Sequence, residues 1–102
     1  MAIVKINDNN FEAEVLQSEQ TVLLDLYADW CGPCRMIAPT IEEVASEHPE
    51  IKVGKLNVDE APSVAIRYGV ESIPTLLVFR KGQVANKVVG AVPKATIEAM
   101  LA

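Results

Sequence analysis

From Thr21 to Ala28 the chain reads Thr-Val-Leu-Leu-Asp-Leu-Tyr-Ala, a run apolar almost throughout that constrains the fold more than any other stretch. A strand without polar alternation is covered on both faces, so this segment predicts a central strand between two helical layers. Asp25 breaks the pattern at the centre of the run. A carboxyl in that position must be paired, hydrated or kept protonated. Directly beyond the run comes Asp29-Trp30-Cys31-Gly32-Pro33-Cys34-Arg35, which carries both cysteines and the sole tryptophan.

The remaining segments arrange themselves around that strand. Ile3 to Ile6 is a short β-branched strand of edge type. Asn9 with Glu12 three residues on fits a capping box, opening a helix to about Ser18 with Phe11, Val15 and Leu16 on one face. After the cysteines Ile37, Ile41, Val44 and Ala45 form one stripe of a helix, with Glu42, Glu43, Ser46 and Glu47 on the other. That helix begins at the motif itself, where Pro33 is tolerated in the first turn. Pro39 predicts a kink and His48-Pro49 the end. Ile51 to Val58 reads as a strand with Lys55 inside it. Asp59 is expected to cap a short helix through Val64, Ala65 and Tyr68, closed by Gly69. Leu76 to Phe79 follows Ile73-Pro74-Thr75 as a strand, Lys81-Gly82 marks a turn, and Val84 to Val89 completes a hairpin before Gly90. Pro93 opens a last helix with Ile97, Met100 and Leu101 inward. The order βαβαβαββα favours an α/β fold with a mixed five-stranded sheet flanked by four helices, formed by residues 1–102 as a single domain.

Composition excludes several classes of function. A net charge of -5 with no basic cluster argues against nucleic acid as a partner. No apolar stretch has the length to span a bilayer, and Met1-Ala2-Ile3-Val4-Lys5-Ile6 shows no secretory pattern. Two cysteines without such a pattern point to a reducing compartment, with the cytoplasm as the expected location. A monomer is the expected state. A closed zinc site needs four ligands, and His48 is the only other soft candidate, so no metal is expected. His48 reads as a surface residue and Met36 as core or rim packing.

Two thiols three positions apart close a small ring. The chain-entropy model gives such a crosslink roughly 2 kcal/mol at best, so the ring suits opening and closing better than stapling. A thiolate is the attacking species in disulfide exchange and is favoured at a helix N-terminus. Lowering a thiol from about 8.5 by one pH unit raises its thiolate fraction at pH 7 from roughly 3% to roughly 25%. Cys31, at the helix entrance beside Trp30, is therefore expected to be the exposed attacker. Cys34, one turn deeper, is placed to resolve the mixed disulfide.

Trp30-Cys31-Gly32-Pro33-Cys34, with Asp25 upstream, Lys55 in the next strand, Ile73-Pro74-Thr75 and Gly90, resembles the thioredoxin family over nearly the whole chain. The resemblance implies the thioredoxin fold and a protein-disulfide reductase. Its clients would be disulfide-containing proteins, with no bound cofactor and electrons from a separate thioredoxin reductase. It also implies that Cys31 attacks and Cys34 resolves, and that Asp25 assists proton transfer at Cys34 with Lys55 close by. Gly32 and Pro33 match the reducing dipeptide. Pro74 is implied to be cis and to face the disulfide, while Trp30, Ile73 and Gly90 form a docking patch. Tyr27 and Asp29 stand where tryptophan and glutamate are frequent. Two rival readings are a thiol oxidant or isomerase, and a binding module that holds partners on the Trp30 and Pro74 surface without turnover.

Overall fold

The structure, a computed structural model, describes residues 3–102. Met1 and Ala2, which open the N-terminal segment read above, lie outside the described residues. The described residues form five strands: β1 (Val4–Ile6), β2 (Val22–Tyr27), β3 (Lys52–Asn57), β4 (Thr75–Arg80) and β5 (Gln83–Val89). Three α-helices, α1 (Gly32–Glu47), α2 (Pro62–Arg67) and α3 (Lys94–Leu101), join a short π-type helix over Glu12–Leu16. In the sheet order β1-β3-β2-β4-β5, β1, β3 and β2 run parallel, and β4 and β5 add antiparallel neighbours.

Strand β2 lies at the centre, and its side chains alternate between two cores. Val22, Leu24 and Leu26 join Phe11, Val15, Val64 and Ala65 under the π-type helix and α2. Leu23 joins Ile37, Ile41, Val44, Ile97 and Met100 under α1 and α3. The near-continuous apolar run is thus covered on both faces, as its pattern requires. Because side chains alternate along a strand, Asp25 faces the α1 layer two residues beyond Leu23. Gly54 in β3 lies close against β1, since a Cβ there would lie 2.8 Å from Ile6 Cγ1.

The helix starts differ from expectation. Asn9 does not cap the first helix, whose N-cap is Phe11 without a side-chain cap; the Asn9 N–H that Glu12 would take in a capping box goes to the Asn7 side chain at 2.8 Å. Asn7 and Asn10 close that turn, with Asn10 Oδ1 accepting from the Asn7 N–H at 2.8 Å. Helical geometry then begins at Phe11 and stops before Ser18, with the Gln17 N–H donating to the Glu12 carbonyl at 2.9 Å. Asp59 does not cap α2 either; Ala61 is the N-cap and Pro62 opens the helix without needing a partner for an N–H. Gly69 closes α2 as expected, its N–H on the Ile66 carbonyl at 3.1 Å. Pro39 lies within α1 without ending it. Met36 is 74% exposed instead of packed, because it lies off the stripe that faces the sheet.

His48 also departs from a simple surface residue. It caps the C-terminus of α1, with Nδ1 3.2 Å from Glu50 and Nε2 3.0 Å from Glu98 of α3. Two carboxylates on one ring favour the imidazolium, in which both nitrogens donate. The hydrogen bond to Glu98, followed by that to Glu50, accordingly raises the His48 pKa. A group raised on folding contributes stability that is complete below its unfolded value near 6.5 and lost as pH rises through the folded value. Denaturant unfolding of His48→Gln and the parent should therefore differ most below pH 6.5 and converge at alkaline pH. A constant difference from pH 5 to 9 would remove the charge from this contact.

Candidate active site

Cys31 and Cys34 form a disulfide across the first turn of α1. The sequence builds that turn directly. Cys31 is the N-cap in extended conformation, Gly32 and Pro33 open the helix, and Cys34 follows as its third residue. Pro33 has no N–H to satisfy. The Cys34 N–H points back at Cys31 Sγ, 3.2 Å away. Cys31 Sγ therefore occupies the place of a capping side-chain oxygen, where an orphan backbone donor and the positive end of the helix dipole favour negative charge. A Cβ on Gly32 would meet only the Arg35 Nη2 tip at 4.0 Å, so the glycine is not required by crowding.

Exposure does not separate the two sulfurs. Cys31 is 3% exposed and Cys34 4%, so the exposed attacker expected from position alone is not seen in the disulfide form. The cause is the cover over the ring: Tyr27, Val58 and Ile73 pack against the cluster of Ala28, Cys31 and Cys34. What separates the sulfurs is their surroundings. Cys31 Sγ lies 3.8 Å from the Ile73 carbonyl oxygen, on the side of the loop before β4. Cys34 instead lines a cavity of about 170 Å³ with Tyr27, Ala28, Asp29, Arg35, Ala38 and Lys55.

The loop facing Cys31 is held by its own backbone. The Ile73-Pro74 peptide is cis, and the buried Pro74 offers its carbonyl to the Gly90 N–H at 2.8 Å. Gly90 has φ +101°, a conformation side chains rarely tolerate, while a Cβ there would meet nothing within 4 Å. Its glycine serves the backbone that closes on Pro74. The Thr75 hydroxyl, wholly buried, donates to the Ser72 carbonyl at 2.6 Å.

Asp25 lies on the α1 side of the sheet with no exposure, and neither carboxylate oxygen has a hydrogen-bond partner among the described residues. Burial pushes its pKa from 3.8 up to about 6, against a lowering by the charge of Lys55. Lys55 stands directly opposite Asp25 in the parallel β2–β3 register but forms no ion pair with it. Its ammonium lies instead over the Tyr27 ring, 4.5 Å from the centroid. The expected closeness of lysine and acid is thus one of register and charge, without a contact.

Trp30 is 69% exposed, and its indole Nε1 donates to Asp59 Oδ2 at 2.8 Å. The carboxylate read from sequence as a helix cap orients the tryptophan. Asp59 and Tyr27 are the two side chains of this site whose roles sequence reasoning missed. Nothing local marks Asp59, whereas Tyr27 sits two residues from Asp25 on the same strand face, a spacing that could have found it. Arg35 ties the start of α1 to the preceding loop, donating to the Asp29 carbonyl at 2.7 Å. His48 belongs to the far end of α1, fourteen or more residues and about 20 Å along the helix from the cysteines, so it cannot complete a metal set with them. No helix among the described residues is long and apolar enough to cross a membrane.

Comparison with known proteins agrees with this arrangement. A family model described as Thioredoxin matches residues 2–102. The chain is 50% identical over 101 residues to Thioredoxin 1 of Nostoc sp., covering 98% of this chain and 94% of that protein. It is 53% identical over 93 residues to Thioredoxin 1 of Synechococcus elongatus, covering 90% and 87% respectively. It is 52% identical over 93 residues to the chloroplastic M-type thioredoxin of Chlamydomonas reinhardtii, covering 90% of this chain and 66% of that one.

Proposed function

The chain belongs to the thioredoxin family and is a thiol-disulfide oxidoreductase; from that premise we propose how residues 1–102, acting as one unit, divide the work. Cys31 attacks a client disulfide and forms a mixed disulfide. Cys34 then attacks Cys31 Sγ, releasing the reduced client and leaving the Cys31–Cys34 bond. Two electrons pass from the thiol pair to the client, and the proton of the Cys34 thiol must leave as it attacks. The observation that carries the assignment is the Cys34 N–H directed at Cys31 Sγ, since only Cys31 holds the capping place where a thiolate is stabilised.

Asp25 is the acceptor for the Cys34 proton. A carboxyl with no partner and a pKa near 6 suits proton exchange around neutrality. Lys55 holds a positive charge beside it, and Gly32 and Pro33 shape the turn that carries both sulfurs. Trp30, Ile73, Pro74 and Gly90 offer the docking surface, where an extended client segment would lie along the loop facing Cys31. Because the disulfide stores no electrons, each cycle needs an external reductant, and we assign this to a separate thioredoxin reductase without a cofactor bound to this chain. A reducing cytoplasm is the setting in which such a dithiol is regenerated.

Cys34→Ser tests the division of roles. With a disulfide client, the variant should accumulate a mixed disulfide through Cys31, visible by intact mass and released by dithiothreitol. Accumulation through a residue other than Cys31, or none at all, would reverse the assignment.

A further inference from the structure

The ammonium of Lys55 occupies an unusual intermediate position. It reaches from β3 beside Asp25, is half-buried, and lines both the cavity of Cys34 and a second one with Ile3, Glu42 and Ser46, yet it does not close on the Asp25 carboxylate. A lysine with a free choice extends its charge into water. Moving it fully onto a buried carboxylate would strip its hydration at considerable cost. The face of Tyr27 offers a third place, 4.5 Å from ring centroid to Nζ, at the wall of the cavity. The quadrupole of the ring attracts a cation over its face, which favours one lysine position over others.

We propose that Tyr27 is a positioning residue that anchors the Lys55 ammonium at the cavity beside Cys34, keeping its charge close to Asp25 instead of losing it to solvent. Among the described residues no other charge acts on Asp25. On β4 the residues opposite Asp25 and Leu26 are Leu76 and Thr75, both uncharged. From α1, Cys34 is in the disulfide and the Arg35 guanidinium is engaged by the Asp29 carbonyl at 2.7 Å. Beyond β3, Lys5 of β1 pairs with Glu60 at 3.3 Å. Lys55 is the charge that offsets the burial of Asp25. The ring itself stays neutral at physiological pH, because burial, followed by Asp29 and Glu60, raises the Tyr27 hydroxyl further. The inference deepens the reading of Asp25 as proton acceptor and rests on it only for its kinetic consequence.

The test is an NMR titration of the Asp25 side-chain carboxyl in the oxidised protein. Tyr27→Leu should move its midpoint to higher pH by roughly half a pH unit, as the ammonium leaves for solvent. Tyr27→Phe, which keeps the ring face, should titrate like the parent. Lys55→Met should shift the midpoint at least as far as Tyr27→Leu, and Tyr27→Leu should add nothing in that background. An unchanged or lowered midpoint in Tyr27→Leu, or an equal further shift in the Lys55→Met background, overturns the proposal. The parent gives a check independent of how the variants fold: the Lys55 ε-methylene protons should lie upfield through the ring current, and ordinary shifts overturn it. Parental exchange rates in Asp25→Asn would instead overturn the proton-acceptor reading alone, because the carboxyl titration reads the lysine position without reference to catalysis.

Discussion

Cys31→Ser should abolish disulfide exchange, with turnover of a model disulfide falling at least about 10³-fold, because removing the nucleophile removes the covalent route. On the proposed division of roles the loss is not shared equally between the cysteines. Cys31 Sγ takes the Cys34 N–H at 3.2 Å and faces the loop at Ile73, whereas Cys34 faces the inner cavity. A serine at position 31 keeps the cap, and so the helix start, but has no thiolate at neutral pH. The helix should remain folded while chemistry stops. Following thiol release from a model disulfide under excess protein measures this, and activity within tenfold of the parent would show that Cys34 can attack directly.

The second large effect concerns stability. An acid whose pKa is higher in the folded chain than in the unfolded one binds more protons when folded. Asp25 rises from 3.8 to about 6, so its contribution is complete below pH 3.8 and is lost as pH climbs through 6. At pH 8 the parent retains a wholly buried, unpartnered carboxylate. Asp25→Ala removes the charge and strands no partner. In the oxidised protein its advantage over the parent should grow by roughly 2–3 kcal/mol between pH 4 and pH 8, as each pH unit of displaced titration corresponds to about 1.4 kcal/mol. Denaturant midpoints at the two pH values supply the measurement. A pH-independent difference would mean that Asp25 is paired or hydrated in solution. A stable chain would not retain such a group for packing, which is the energetic argument for a functional one.

These two residues also show what local pattern can and cannot reveal. Asp25 stands out in sequence because a charge interrupts eight residues of central strand, and the Cys31–Cys34 spacing identifies a reactive ring. Both signals are violations of an otherwise consistent pattern. Asp59 and Tyr27 violate nothing. Asp59 looks like an ordinary cap ahead of a short helix, yet Pro62 starts that helix and leaves the carboxylate to Trp30. Tyr27 looks like one more apolar residue at the end of β2, yet its ring holds the ammonium of Lys55. The same competition misleads at Asn9, where a neighbouring asparagine captures the N–H first.

Periodicity and spacing by themselves determined the element order, the two-faced burial of β2, the helix that starts at the cysteines and the thiol chemistry of that start. Each depends on contacts within a few residues or on the total apolar content of a segment. Only the tertiary structure decided how deeply the cysteines are covered, that Lys55 lies over Tyr27 without closing on Asp25, and that the Gly90 N–H holds Pro74 beside the disulfide. Those outcomes join residues from different strands, and each is a competition among polar partners that the chain brings together only once it has folded.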